Sequence, residues 1–170
     1  RRLALIVIDI DEFKQVNDQH GHAAGDRVLE GVARLIRAQL REGDLGVRWG
    51  GEEFLIVASV ADEVEALQSA ERLRIDVASH RFDIGSGASI QRTCSIGFAC
   101  LPFIAESGDS LPWQHVLEIA DAALFEAKHD GRNRAYGYAA AGPIAVDFID
   151  RFRATAPEQR RALPLRRLGG

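Results

Sequence analysis

The stretch Leu3-Ala4-Leu5-Ile6-Val7-Ile8-Asp9-Ile10-Asp11 decides the fold. Its first six residues are all apolar, and half of them are β-branched, which describes a strand covered on both faces in the middle of a sheet. The strand runs out in Asp9-Ile10-Asp11 and so delivers carboxylates to one edge of that sheet. The rest of the chain has to supply a cover for each face.

Directly downstream, Glu12 to Gln19 reads as a short helix that stops at His20-Gly21, with the glycine as its C-terminal cap. A longer helix is expected after Gly25-Asp26, with Val28, Leu29, Val32, Leu35, Ile36 and Leu40 on one stripe. By residue pattern alone, His22 is a turn residue and Asp26 the N-cap of that helix. Leu45 to Trp49 and Phe54 to Ala58 form a β-hairpin around Gly50-Gly51-Glu52-Glu53, where the two glycines are expected to take positive φ angles. A third helix over Asp62 to Ser79 turns Leu67, Ala70, Leu73 and Val77 inward. Strands follow at Arg81 to Ile84 and Ser89 to Leu101, then a loop at Gly108 to Pro112. Trp113 to His129 is a fourth helix, with Val116, Leu117, Ala120, Leu124 and Ala127 inward, and Arg134 to Tyr138 is a last strand. Adjacent antiparallel strands mixed with crossovers make this an α+β fold, a central, mostly antiparallel sheet flanked by helices.

At 170 residues and 46% hydrophobic, the chain can bury a full core, so disorder is excluded as its main state. The formal net charge of -4 removes any general attraction for nucleic acid or anionic membrane, and bound phosphate must be held locally. No run approaches the roughly 20 apolar residues of a membrane helix. The expected location is cytoplasmic. The abrupt start on a strand suggests a fragment whose missing upstream region can anchor the full-length protein. Cys94 and Cys100 share one extended segment, about 20 Å apart by the usual rise per residue, and cannot pair. Of 21 cationic residues only Lys14 and Lys128 are lysines. Residues 139–170 carry six arginines against three acids, a charge of +3 that leaves -7 for residues 1–138. The expected organisation is one catalytic domain over 1–138 and a basic C-terminal tail over 139–170 with one short helix at Val146 to Arg153, read as a partly ordered terminus or, alternatively, a docked or partner-binding segment.

If the hairpin pairs beside the first strand, Asp9 meets Glu52 and Glu53 at one sheet edge. Clustered carboxylates repel one another unless a cation compensates, and hard oxygen donors select Mg²⁺ or Mn²⁺. The alternative reading is that Asp9 and Asp11 cap the next helix and that the glutamates form a solvated hairpin tip.

Gly50-Gly51-Glu52-Glu53-Phe54 resembles the signature of the GGDEF family, the diguanylate cyclases, with Glu in place of Asp at the third position, a common variant. Asp9-Ile10-Asp11-Glu12-Phe13-Lys14, Asn17-Asp18 and Gly21-His22 resemble the family's first motif, and Ala127-Lys128 with Gly131-Arg132-Asn133 extends the likeness to Tyr138. The resemblance implies a palm-like fold akin to nucleotidyl cyclases. It also implies an enzyme that joins two GTP into cyclic di-GMP and releases two pyrophosphates. By the same resemblance, Asp9, the Ile10 carbonyl and Glu52 are the Mg²⁺ (or Mn²⁺) ligands. Glu52 also acts as base toward the ribose 3′-hydroxyl, and Lys14 meets the charge building on the leaving pyrophosphate. Phe13, Asn17, His22, Asp26 and Glu53 are then substrate contacts, with Asn17 and Asp26 reading guanine. Lys128 and Arg132 touch phosphate, although cations at a helix C-terminus need no such explanation.

Arg41-Glu42-Gly43-Asp44 fits the R-x-x-D pattern of the family's product-inhibition site, with Arg72 as a secondary contact or simply an exposed helix arginine. One domain holds one GTP, so a homodimer is implied. The family's opening helix and D-x-L-T segment do not precede the first strand here. The rival function, from another class, is a catalytically weak or inactive domain that serves as a cyclic di-GMP receptor through Arg41, Asp44 and Arg72.

Overall fold

A computed structural model of the chain describes residues 1–103 and 111–170. Of the loop expected at Gly108 to Pro112, residues 108–110 lie outside the described residues. Strand β1 (Arg2–Ile10) takes the interior place that its apolar run demands, between β3 (Glu53–Val60) and β6 (Cys94–Leu101) and antiparallel to both. The sheet is completed as β2-β3-β1-β6-β7-β8, with β2 at Leu45–Arg48, β7 at Ala135–Ala140 and β8 at Leu165–Leu168. Among the described residues only the β6–β7 pairing is parallel, so the α+β, mostly antiparallel architecture holds.

The period of two along β1 assigns its residues to two cores. Ala4, Ile6, Ile8 and Ile10 face helices α1 (Phe13–His20), α2 (His22–Gln39) and α3 (Glu63–Ser79). Leu5 and Val7 face α4 (Trp113–His129) and α5 (Phe148–Ala154). The stripes read from the sequence are the buried faces: Val28, Leu29, Val32 and Ile36 on α2, Ala70, Leu73 and Val77 on α3, and all five expected positions on α4. Each large aliphatic side chain so buried stabilises the fold by about 1.5–3 kcal/mol. α4 lies directly on β6 at Gly97, where a Cβ would stand 2.1 Å from the Ala120 carbonyl oxygen. Cys94 and Cys100 are free and buried, and burial pushes the Cys100 thiol up to about 12.

Several local expectations are corrected. α2 begins at His22, so His22 and Asp26 lie inside the helix as neighbours one turn apart, neither turn residue nor N-cap. One residue, Gly21 at φ +83°, closes α1 and opens α2, and only a glycine enters that conformation freely. The hairpin glycines Gly50 and Gly51 do not take positive φ. The turn is held by Trp49 N–H donating to the Glu53 carbonyl at 2.8 Å and by the Arg48 guanidinium donating to the Gly50 and Gly51 carbonyls. The expected strand Ser89 to Leu101 is two strands, because Gln91-Arg92-Thr93 carries the chain from a separate ribbon of β4 (Phe82–Gly85) and β5 (Ala88–Ile90) into the main sheet.

Residues 139–170 form more than a short helix. α5 buries Phe148, Ile149 and Phe152 in the α4-side core, a 3-10 turn at Pro157–Ala162 follows, and β8 pairs antiparallel with β7. Its arginines meet acids of the body. Arg153 grips Glu118 through two hydrogen bonds, and Arg167 reaches Glu126 and Asp130 while lying over the Tyr136 ring. Exposed pairs of this kind contribute little each, so the apolar burial dominates. Ile149→Ala is therefore expected to cost about 2 kcal/mol in urea unfolding, whereas a loose tail would show no change.

Candidate functional site

The site forms where β1, the β2–β3 turn and the first turns of α1 and α2 converge. Asp9 and Glu53 are register partners across β1 and β3, and Ile10 N–H donates to the Glu52 carbonyl at 3.3 Å, so the hairpin tip is fastened to the end of the central strand. Glu52 lies in an open cleft of about 370 Å³ together with Phe13, Lys14, Asn17, His22 and Asp26. Residues from α1, α2, β2 and the hairpin turn therefore share one cavity. The α1–α2 wall is tight at Gly25, where a Cβ would stand 2.0 Å from the Asn17 Oδ1. Asn17 and Asp26 can share that wall only because residue 25 has no side chain.

Asp9 is only 5% exposed, and Lys128 Nζ lies 2.7 Å from its Oδ2. Burial pushes the Asp9 carboxyl above its ordinary range, and the hydrogen bond and charge of Lys128 pull it back only partly. The charges of Glu52 and Glu53 push in the same direction as burial. The position thus remains short of positive charge even with Lys128 in place. That deficit beside the carboxylates of Glu52 and Glu53 fits a hard divalent cation. Among the described residues no three His, Cys, Asp or Glu side chains converge as a ready-made cage, which leaves main-chain and substrate oxygens to complete a coordination shell.

A carboxyl whose pKa is higher in the folded than in the unfolded chain binds more protons when folded, so its effect on stability turns unfavourable as pH rises from the unfolded value through the folded one. Asp9→Asn is accordingly expected to raise the thermal midpoint in EDTA at pH 7.5 and to lose that advantage near pH 4. A midpoint lower than wild type at pH 7.5 would contradict the charge deficit.

Arg132 takes a left-handed conformation (φ +63°) after α4 and is exposed; it is not among the residues lining the cleft. Arg41, Asp44 and Arg72 line a separate small cavity between the end of α2, β3 and α3. In the sequence Arg48 has no marked role, and Asp11 reads only as a helix cap or a motif member. Arg48 lines the cleft and braces the glycine turn, a role with no motif to announce it. Asp11 is buried and accepts hydrogen bonds from Thr93 Oγ1, Ser95 Oγ and Asn133 N–H, tying the loop after α4 to the end of β1. It does not cap α1, whose first N–H groups have no side-chain cap.

Residues 1–134 match the family described as diguanylate cyclase, GGDEF domain. Diguanylate cyclase A of Treponema denticola is 42% identical over 134 residues, covering 78% of this chain and 34% of the relative. Diguanylate cyclase DosC of Escherichia coli is 37% identical over 132 residues, covering 78% of this chain and 27% of the relative. The chain thus matches between 27% and 34% of the length of these curated relatives. Among solved structures, the GGDEF domain of DgcB from Caulobacter crescentus in complex with c-di-GMP superposes with a TM-score of 0.71 at 33% identity, covering 80% of this chain and 77% of that one. With its signature turn, cleft and sheet order in place, the chain belongs to the GGDEF domain family of diguanylate cyclases.

Proposed function

We propose that this domain condenses two molecules of GTP into cyclic di-GMP with release of two pyrophosphates. The observation that carries the reading is the convergence of Glu52, Lys14, Asn17, His22 and Asp26 on one cleft beside the Asp9–Lys128 pair. Asp26 accepts the two donors of the guanine edge, and the Asn17 amide meets its acceptors, so ATP leaves both groups unpaired beneath the base and is rejected. Phe13 and His22 flank the nucleoside. Lys14 and the uncapped N–H groups at the start of α1 receive the triphosphate. Lys128, which pairs with Asp9, and Arg132 serve as further phosphate contacts. Asp9, Glu52 and the Ile10 carbonyl would hold Mg²⁺ or Mn²⁺. When bound, that ion neutralises phosphate charge and lowers the pKa of the 3′-hydroxyl. Glu52 takes the hydroxyl proton, and Glu53 orders the metal side of the site.

Each domain presents one cleft, so joining two nucleotides requires two domains face to face as a homodimer. Arg41, Asp44 and Arg72 bind the product and restrain turnover. Arg suits this task because its fork grips a phosphate or the guanine O6 and N7 in paired bonds. Arg41→Ala is expected to raise the cyclic di-GMP concentration needed for half-inhibition by about tenfold, read from initial rates at increasing product.

The decisive experiment incubates the domain at high protein concentration with GTP and MgCl₂ and follows cyclic di-GMP and pyrophosphate by chromatography. Both products are expected in a ratio of one to two. No product, either from this chain or from the chain fused to a dimerising segment, would overturn the assignment.

A further inference from the structure

The product site described above is not an open cationic surface. Arg41 Nη1 lies 2.8 Å from Glu65 Oε1, a carboxylate in the first turn of α3. The other oxygen of Glu65 accepts the Ala61 N–H at 2.6 Å, and the Glu65 N–H donates to Asp62 Oδ1 at 2.9 Å, so a capping arrangement fixes the side chain where it meets Arg41. Asp44 is already committed: it accepts the Arg41 N–H on one oxygen and the Ser59 N–H on the other. It therefore frames the turn and leaves Arg41 to find an anion elsewhere. Glu65 is that anion.

We propose that Glu65 is a competitor built into the product site, holding the Arg41 guanidinium in the place of a ligand phosphate and so setting the product concentration at which the site fills. The inference rests on the reading that cyclic di-GMP binds through Arg41. A phosphodiester and a carboxylate each bring one negative charge and a pair of oxygens to the same fork. Both cannot use it at once, and a product carrying two such charges is also repelled by the carboxylate it displaces. The Arg41–Glu65 pair is partly exposed, so its hold is of a strength that a ligand can overcome.

Glutamine at position 65 keeps the length of the side chain and an acceptor for the Ala61 N–H but carries no charge. Isothermal titration with cyclic di-GMP is expected to give a Kd for Glu65→Gln about threefold to tenfold below wild type. Because the competition is one of charge, that ratio should shrink as NaCl is raised from about 0.05 M to about 0.5 M. Thermal unfolding alongside checks that the cap survives. A Kd equal to or above wild type in a folded Glu65→Gln protein would overturn the competitor while leaving the product site standing. Arg41→Ala should weaken binding in both backgrounds. If it does not, or if neither wild type nor Glu65→Gln binds cyclic di-GMP, the product-site reading falls and the competitor with it.

Discussion

Glu52→Gln is expected to slow cyclic di-GMP formation by about 10²- to 10⁴-fold, the range that a positioned proton acceptor contributes. The amide preserves the shape of the side chain but can neither take the 3′-hydroxyl proton nor offer a charged oxygen to a divalent ion. Loss of fold will not be the cause, because Glu52 lines an open cleft and its charge works against Asp9. Removing that charge relieves repulsion, so the variant should unfold at the wild-type temperature or slightly above it. Turnover within about threefold of wild type would show that another group takes the proton. Titration of the variant with a non-hydrolysable GTP analogue separates the outcomes. Binding retained with turnover lost places the effect on the chemical step.

Gly97→Val is expected to destabilise the domain by about 4 kcal/mol or more, the other large effect. A Cβ there would meet the Ala120 carbonyl oxygen at 2.1 Å and the Leu124 nitrogen at 2.2 Å, all main chain of α4. No rotamer change relieves a clash with backbone, so α4 would have to lift from β6. Lys128 rides on the last turn of α4, and a lifted helix would withdraw it from Asp9. Thermal and urea unfolding should show the loss directly. A variant of wild-type stability would mean that α4 slides on the sheet without cost.

The parts of this fold legible in the sequence were those written in local periodicity. The six-residue apolar run identified an interior strand, and the stripes on α2, α3 and α4 identified buried faces, because burial repeats with the period of the element itself. Of the residues singled out by the resemblance of their motifs, the cleft gathers Phe13, Lys14, Asn17, His22, Asp26 and Glu52. What stayed hidden depends on contacts distant in sequence. His22 and Asp26 looked like turn and cap residues because Gly21 and Gly25 read as breakers, yet Gly25 is helical and glycine there serves the approach of Asn17. Asp11 meets Thr93, Ser95 and Asn133, partners 82 to 122 residues away. Residues 139–170 looked like a tail because prolines and arginines conceal Phe148 and Phe152, which are buried only by packing against the opposite core.

That last segment bears on how such catalytic units are moved between proteins. A piece cut at residue 134, where the family match ends, stops one residue before β7, strips β6 of its parallel neighbour and removes every contact that α5 makes. It also frees Glu126 and Asp130 from Arg167, just beside the helix turn that carries Lys128. A chimera that places this domain behind a sensory region therefore has to carry the chain through Leu168, treating α5 and β8 as part of the transplanted unit rather than as a trailing linker.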